Sequence, residues 1–588
     1  MNGRQFGPRL TADATSFRLW APAAKHVDLL LDRPYPLDRR GNGWFSAEIP
    51  GVAAGARYRF RIDGEVDVPD PASAFQPEDV FGASEVIDPA TYAWRAGDWR
   101  GRPWHEAVVI ESHVGSFTPE GTYRAMIGKL DHLVATGVTA LELMPLADFP
   151  GQRNWGYDGV LWYAPDSAYG RPDDLKALVD EAHLRGLMVL LDVVYNHFGP
   201  EGNYLGRYAP AFFTEAQTPW GRAIDYRVRE VRAFAIENAL YWLDEYRFDG
   251  LRLDAIHAIA EPGKISLLQE LSAAVGELAG AAGRHIHLVL ENDDNRASLL
   301  DADEGPPRGK YRAQWNDDYH HAWHVLLSRE SHGYYSDYRR APLHDIARAL
   351  GSGFVYQGEP SAHRGGVLRG EPSRQLAPIA FVNFLQNHDQ IGNRAFGDRI
   401  ASLASEPAIE AALAITLLAP AIPMLFMGEE WGSKVPFPFF CDFNGDLADA
   451  VRQGRRREFA GAYAKYGDEV PDPLAVATFR SAILDWEARD RPSGRKRLAL
   501  VRDLLALRQR EIVPRLAGAR FGNAQAADDG RLAAHWRMGD GARLSLIANL
   551  SPRATAIPPH HRIGTVIWGG ESGNPMPPWF VLWRIGAR

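Results

Sequence analysis

"DLKALVDEAHLRGLMVLLDVV", residues 174–194, sets a helical stretch against a strand-like one with a single glycine between them. Leu175, Leu178, Val179 and Ala182 recur at helical spacing, and Gly186 is the residue a left-handed helix end prefers. Residues 187–194 are apolar at every position but Asp192, as a parallel strand covered on both faces requires.

The same order recurs on either side. Strand-like "AVVIESHVG" (107–115) precedes helical "YRAMIGKLDHLVATG" (123–137) and the strand "VTALELMP" (138–145). After residue 194 come the helix "VREVRAFAIENALYWLDEYRFDG" (228–250), the strand "LRLDAI" (251–256), the helix "ISLLQELSAAVGELAGAAG" (265–283) and the strand "HIHLVLEND" (285–293). Each of these helices is read as ending in glycine. "YRAQWND" (311–317), "APIAFVNFL" (377–385) and "AIPMLFMG" (421–428) complete eight strands. Eight strands alternating with helices predict a (β/α)8 TIM barrel with insertions. The open doubly wound sheet is the rival, but "ESHVGSFTPEG" (111–121) is not its glycine-rich nucleotide turn.

At 588 residues the chain is too long for one core, and ~150 residues per domain gives two to four domains. Residues 1–95 read as an N-terminal immunoglobulin-like β-sandwich of short alternating strands, "FRLWAP", "HVDLLL", "GWFSAEIPG" and "ARYRFRIDG". Trp20, Tyr58 and Phe60 there are expected in its core. Residues 96–515 hold the barrel, closed by the helix 496–510, with a long polar insertion at 429–490. Residues 516–588 return to short strands, expected as a C-terminal β-sandwich. A net charge of −9 argues against nucleic acid and anionic membranes as partners. The single Cys441 excludes an internal disulfide, and the first twenty residues lack a signal-peptide core. No apolar run is long enough to span a membrane. A cytoplasmic protein is expected, with its oligomeric state left open.

Barrel active sites lie at the carboxyl ends of the strands. There the sequence places Glu111 and His113, Asp192 with Asn196 and His197, Arg252 with Asp254 and His257, Glu291, Asn387 with His388 and Asp389, and Glu429 with Glu430. Arg252 and Asp254 are two apart and share a strand face. Carboxylates on three strands at one barrel end point to glycoside hydrolysis, in which one carboxyl attacks and another moves the proton. Arg252 would keep Asp254 ionised, and the apolar run before Glu291 would raise its pKa. Asp389 would be a third carboxylate beside the sugar. Clustered His and Asp also raise the question of a metal, but "DDYHH" (317–321) lacks the spacing that puts two histidines on one helix face. No cofactor and no catalytic metal are expected.

"DVVYNH" (192–197), "GLRLDAIH" (250–257), "LEND" (290–293) and "FLQNHD" (384–389) resemble, in order, the four conserved regions of the α-amylase family, glycoside hydrolase family 13. The resemblance covers about 105–515 and implies Asp254 as nucleophile, Glu291 as proton donor and Asp389 as transition-state stabiliser. It implies Arg252, His197 and His388 as support and Tyr157 of "NWGYDGV" as a platform under the sugar. Asn196 matches a calcium ligand of many amylases, but no carboxylate set completes a site and calcium is not expected. "ESHVGSFTPEGTY", "WNDDYHHAWH", "NHDQIGNR", "MGEEWG", "PFPFFCDF" and "GRRREFA" are most similar to family members that cut the α-1,4 bond beside a terminal trehalose. That branch implies malto-oligosyltrehalose as the small-oligosaccharide partner and a role in trehalose formation. It further implies substrate contacts from Arg252, Leu253, Ala255, Ile256 and His257, from Asp317, Asp318, Tyr319, His320 and His321, and from His388, Gln390, Ile391, Gly392 and Asn393. Glycogen branching or debranching is the alternative activity, and a non-catalytic glucan-binding barrel the third.

Overall fold

The computed structural model describes residues 4–218, 220–259, 266–301, 305–556, 564–570 and 575–586. Its centre is a closed barrel of eight parallel strands: β1 Val109–Ser112, β2 Ala140–Leu143, β3 Met188–Val193, β4 Gly250–Leu253, β5 His287–Leu290, β6 Ala313–Trp315, β7 Phe381–Phe384 and β8 Ile422–Phe426. All eight are the strands read from the sequence, and every residue in them is buried. β8 pairs back onto β1, with Glu111 opposite Phe426. Among the helices are α1 Leu130–Thr136, α2 Pro172–Leu184, α3 Arg229–Glu245, α4 Leu267–Ala282, α5 Asp317–Ser328, α6 Pro342–Ser352, α7 Glu406–Leu418, α8 Gly445–Glu458 and α9 Pro492–Leu507.

Gly137 and Gly283 end α1 and α4 in the left-handed region, as expected. Gly250 does not end α3. Arg247 takes the positive φ of +55° there, and Gly250 opens β4. What Gly250 supplies is space: a Cβ on it would lie 2.3 Å from the His287 carbonyl oxygen and 2.7 Å from Leu190 Cδ2.

The N-terminal region forms two antiparallel sheets. One runs Arg9–Leu10, Ala14–Trp20, Trp44–Pro50, Asp38–Arg39; the other runs Pro34–Pro36, Val27–Leu30, Arg57–Ile62, Val66–Val68. Trp20, Tyr58 and Phe60 are buried, so none is a surface sugar platform. The domain is fastened to α3, where Glu237 accepts from the backbone N–H groups of Gln5 and Phe6 at 2.6 and 2.9 Å. At the other end the strands Arg520–Ala526, Arg531–Arg537, Arg543–Asn549, Phe580–Gly586 and Thr565–Trp568 form one antiparallel sheet in that spatial order. Among the described residues no second sheet faces it. Barrel helices cover it instead: Trp536 Nε1 donates to the Leu350 carbonyl of α6 at 3.0 Å and Trp583 Nε1 to Ala414 of α7 at 3.1 Å.

α9 closes the barrel. Just beyond it the buried Arg508 donates to the carbonyl oxygens of Leu417, Ala419 and Ala421 at 3.0, 2.6 and 2.8 Å. These groups at the end of α7 have no helical partner of their own. Among the described residues no helix is long and apolar enough to cross a membrane.

Candidate active site

Parallel register aligns Asp192 of β3 with Arg252 of β4, so both side chains enter the barrel at one level. Leu251 and Leu253 alternate with Arg252 and point away, fully buried under the helices. Arg252 is itself only 2% exposed, so burying its charge is costly unless carboxylates are held close to it. Its Nη1 donates to Asp192 Oδ2 at 2.6 Å and to Asp254 Oδ1 at 2.8 Å, and its Nη2 to Glu291 Oε2 at 3.0 Å. The guanidinium carbon lies 4.0 Å from the centre of the Trp315 ring, a cation–π contact. One buried cation thus touches both carboxyl groups implied in catalysis.

The two carboxyls are pushed in opposite directions. Burial raises the pKa of Asp254, but Arg252, the amide of Asn196 at 2.8 Å, His197 and His388 together hold it below the ordinary value. For Glu291 burial prevails; Asp254, Asp317 and Asp389 add to it against Arg252, and its pKa stands well above the carboxylate range. Ala255, between them, takes φ +41°, a strained conformation for a residue with a Cβ. That turn aims its N–H at Glu291 Oε2, 2.7 Å away. Burial also raises Asp389, whose Oδ1 accepts from Asn393 Nδ2 at 2.6 Å.

These groups open onto a cleft of about 350 Å³, within the usual size of small-ligand sites. Tyr157, His197, Arg252, Asp254, Ala255, Glu291, Asp317, His388, Asp389, Gln390 and Asn393 all line it, and His257 stands exposed at its rim. Burial, with Asp293 and Asp389 near, pushes Asp317 up to about 7.

The remaining expected contact residues lie behind the wall. Leu253 and Ile256 are buried in the core. Asp318 is 0% exposed and accepts from Asn295, Tyr338 and the N–H groups of Val355 and Tyr356, so it organises a loop. Tyr319 bonds Thr416, and His320 spans the Leu385 carbonyl and Tyr335. His321 packs among Tyr334, Tyr335 and Tyr338. Ile391 and Gly392 turn from the cleft. A Cβ on Gly392 would lie 1.9 Å from the Trp155 ring. We therefore expect Gly392→Ala to displace Trp155 and cost about 1–3 kcal/mol of stability, measured by urea denaturation, together with weaker substrate binding. Unchanged stability and KM would contradict this account.

Asn387, expected at the end of β7, lines the cleft, which also uses residues not singled out from sequence: Trp155, Trp220, Trp315, Phe439 and Arg455. Trp220 stacks on His197 at 5.1 Å. Arg455, on α8 of the polar insertion, donates to Asn393 Oδ1 at 3.2 Å. By contrast Glu429 and Glu430, at the end of β8, bond to the Phe426 N–H and to His132. His113 holds Ser116 and the Asn154 carbonyl. Asn196 gives its amide to Asp254.

Residues 92–211 match the family model described as alpha amylase, catalytic domain. Residues 5–88 match carbohydrate-binding module 48 (isoamylase N-terminal domain), and residues 519–583 a domain of unknown function, DUF3459. The chain is 43% identical over 503 residues to the malto-oligosyltrehalose trehalohydrolase of Deinococcus radiodurans, covering 85% of this chain and 82% of that one. For the protein of the same name from Arthrobacter ramosus the identity is 42%, over 84% and 87%. The chain belongs to the malto-oligosyltrehalose trehalohydrolases of the α-amylase family. A crystal structure of a provisionally named alpha amylase from Salmonella typhimurium superposes on this trehalohydrolase-family chain with a TM-score of 0.95 at 46% identity, covering 99% of this chain and 100% of that one. A pullulanase of Paenibacillus barengoltzii shares the fold, with a TM-score of 0.72 at 20% identity over 100% and 95%. A glucan branching enzyme from Rhodococcus jostii matches only 42% of the chain, at 37% identity.

Proposed function

We propose that the protein hydrolyses malto-oligosyltrehalose at the α-1,4 bond next to the terminal trehalose, releasing trehalose and a malto-oligosaccharide with retention at the cleaved carbon. The observation that carries this reading is Arg252 touching Asp254 and Glu291 while their surroundings drive their pKa values apart. The relatives' shared name supplies the substrate. Asp254, ionised, attacks C1 of the glucosyl unit while Glu291 gives its proton to the departing trehalose oxygen. The C1–O bond breaks and an ester to Asp254 forms. Water then attacks C1, its proton passing to the Glu291 carboxylate, and the ester is cleaved. Asp389 faces the positive charge that builds up at C1 in both steps. Tyr157 offers a ring to the sugar.

Incubation with maltotriosyl-trehalose and with maltopentaose tests the substrate. Trehalose from the first with little cleavage of the second is expected. Equal hydrolysis of both, or chain transfer without trehalose, would replace this reading by the branching or debranching one. Retention requires the two carboxyls about 5–5.5 Å apart, and NMR of the fresh product should show the α-anomer first.

The pH dependence follows from the signs. Activity needs Asp254 without its proton and Glu291 with it. It should rise through the lowered pKa of Asp254 and fall through the raised pKa of Glu291. Glu291→Gln should lower kcat about 10³-fold and abolish the alkaline limb; a variant that keeps that limb would assign it elsewhere.

Action in the cytoplasm, a part in trehalose formation, domain divisions near residues 95 and 515, and the absence of nucleic-acid or membrane partners belong to the same proposal. The net charge of −9 supports the last of these.

A further inference from the structure

Behind the cleft wall stands a buried carboxylate, Glu111, to which the mechanism above gives no part. Glu111 faces the barrel interior from β1, directly opposite Glu142 on β2, and is 1% exposed. Both of its oxygens serve a single residue. Oε2 accepts the backbone N–H of His388 at 3.0 Å, and Oε1 meets His388 Nδ1. A carboxylate only accepts, so Nδ1 carries a proton toward Glu111.

Each contact meets a need that no other group fills among the described residues. His388 is the first residue of the short helix His388–Gly392, and the cap residue Asn387 accepts from Asp389 and Gln390 with its side chain. The N–H of His388 is left over at that end, and Glu111 takes it. The ring contact fixes the orientation of the imidazole. It lies face to face with Tyr157 at 5.0 Å and edge-on to Trp155 at 5.4 Å. With Nδ1 turned to Glu111, Nε2 is the ring nitrogen left for the cleft, beside Asp389. Burial opposes a charged imidazole, yet Glu111, helped by Asp389, more than offsets it and raises the pKa of His388.

We propose that Glu111 is a positioning residue of the reaction: by gripping His388 at backbone and ring it fixes an Nε2–H donor for a hydroxyl of the sugar bound over Tyr157, and sets the turn that carries Asp389. The rate part of this rests on the trehalose-releasing reading above; the hydrogen bond does not.

Two measurements test it. In the unmodified protein, a proton resonance far downfield, coupled to a histidine ¹⁵N in selectively labelled material, is expected. It should vanish in both Glu111→Gln and His388→Asn. With malto-oligosyltrehalose, Glu111→Gln should lower kcat by about 10- to 100-fold with KM within about two-fold, less than the ~10²–10³ of losing a transition-state donor outright. The side chain introduced by Glu111→Gln can still accept the N–H of residue 388 through its amide oxygen, so the substitution removes the ring contact, and in a double-variant cycle its loss should disappear in the His388→Asn background. Absence of the resonance from the unmodified protein overturns the proposal without any variant. Losses that multiply in the cycle also overturn it, since Glu111 would then act independently of His388. If the protein released no trehalose but kept the resonance, the functional reading alone would fall, and the cycle would be run on the glucan it does cleave.

Discussion

Asp254→Asn is expected to lower kcat on malto-oligosyltrehalose by at least about 10³-fold, equivalent to ~4 kcal/mol of transition-state stabilisation. The amide has the size of the carboxylate and accepts from one donor, but it has no charge with which to attack C1. The surroundings of Asp254 are built for that charge: Arg252 Nη1 and Asn196 Nδ2 each donate to a different oxygen. In the variant one of those donors meets an NH2 group, a local cost that leaves the barrel folded, and thermal unfolding should confirm this. Asp254→Gly sharpens the test. It opens room for azide, which would attack C1 in place of the carboxylate while Glu291 protonates the leaving oxygen. The product would be a β-glycosyl azide, formed with a single inversion. If Asp254→Asn kept more than a tenth of the rate, or azide gave the α-product, the nucleophile would have to be another group.

The barrel was legible because its strands are covered on both faces and so read as apolar runs, with helices of helical period between them. Even β6, only three residues long, was found, since Ala313, Gln314 and Trp315 sit between two recognisable elements. Glycine was over-read. Gly250 resembles Gly137 in sequence, but one is small for space and the other for its backbone angle. The polar ends of β3, β4, β5 and β7 were legible for the same reason as the barrel: a charge that interrupts a buried run has few places to go.

What the sequence hides is which neighbour of a motif residue reaches the cleft. Residues 317–321 begin a helix, in which successive side chains turn by about 100°. Only Asp317 faces the cleft, while Asp318, Tyr319, His320 and His321 are carried into the core. The same turning separates His388, Asp389, Gln390 and Asn393 from Ile391 and Gly392. Trp220 and Arg455 come from a hairpin after β3 and a helix after β8, remote in sequence from each other. An aromatic at such a place reads no differently from one in a core, and only the fold brings it to the sugar. The stretch "GRRREFA" did mark the vicinity of Arg455, but not which of its three arginines would turn inward.

Arg252→Lys keeps the charge and should still fail. The guanidinium reaches Asp192 and Asp254 with one nitrogen and Glu291 with the other, with its carbon over the Trp315 ring. An ammonium is a single point on a flexible stem and cannot span that set. A buried carboxylate stripped of its cation costs about 3–5 kcal/mol, so a loss toward that size is expected in urea denaturation, with kcat down about 10³-fold. Arg252→Met separates the electrostatic part from the geometric one. With the cation gone, burial would raise the pKa of Asp254, and its carboxyl would hold a proton at pH values where it is now ionised. The acid limb of the pH–rate profile should therefore move to higher pH, and residual activity should grow as pH rises. An acid limb that stays in place would mean that Asn196, His197 and His388 suffice to keep Asp254 ionised. Arg252 would then matter for orientation alone, holding the proposed nucleophile and the proposed proton donor at a fixed separation.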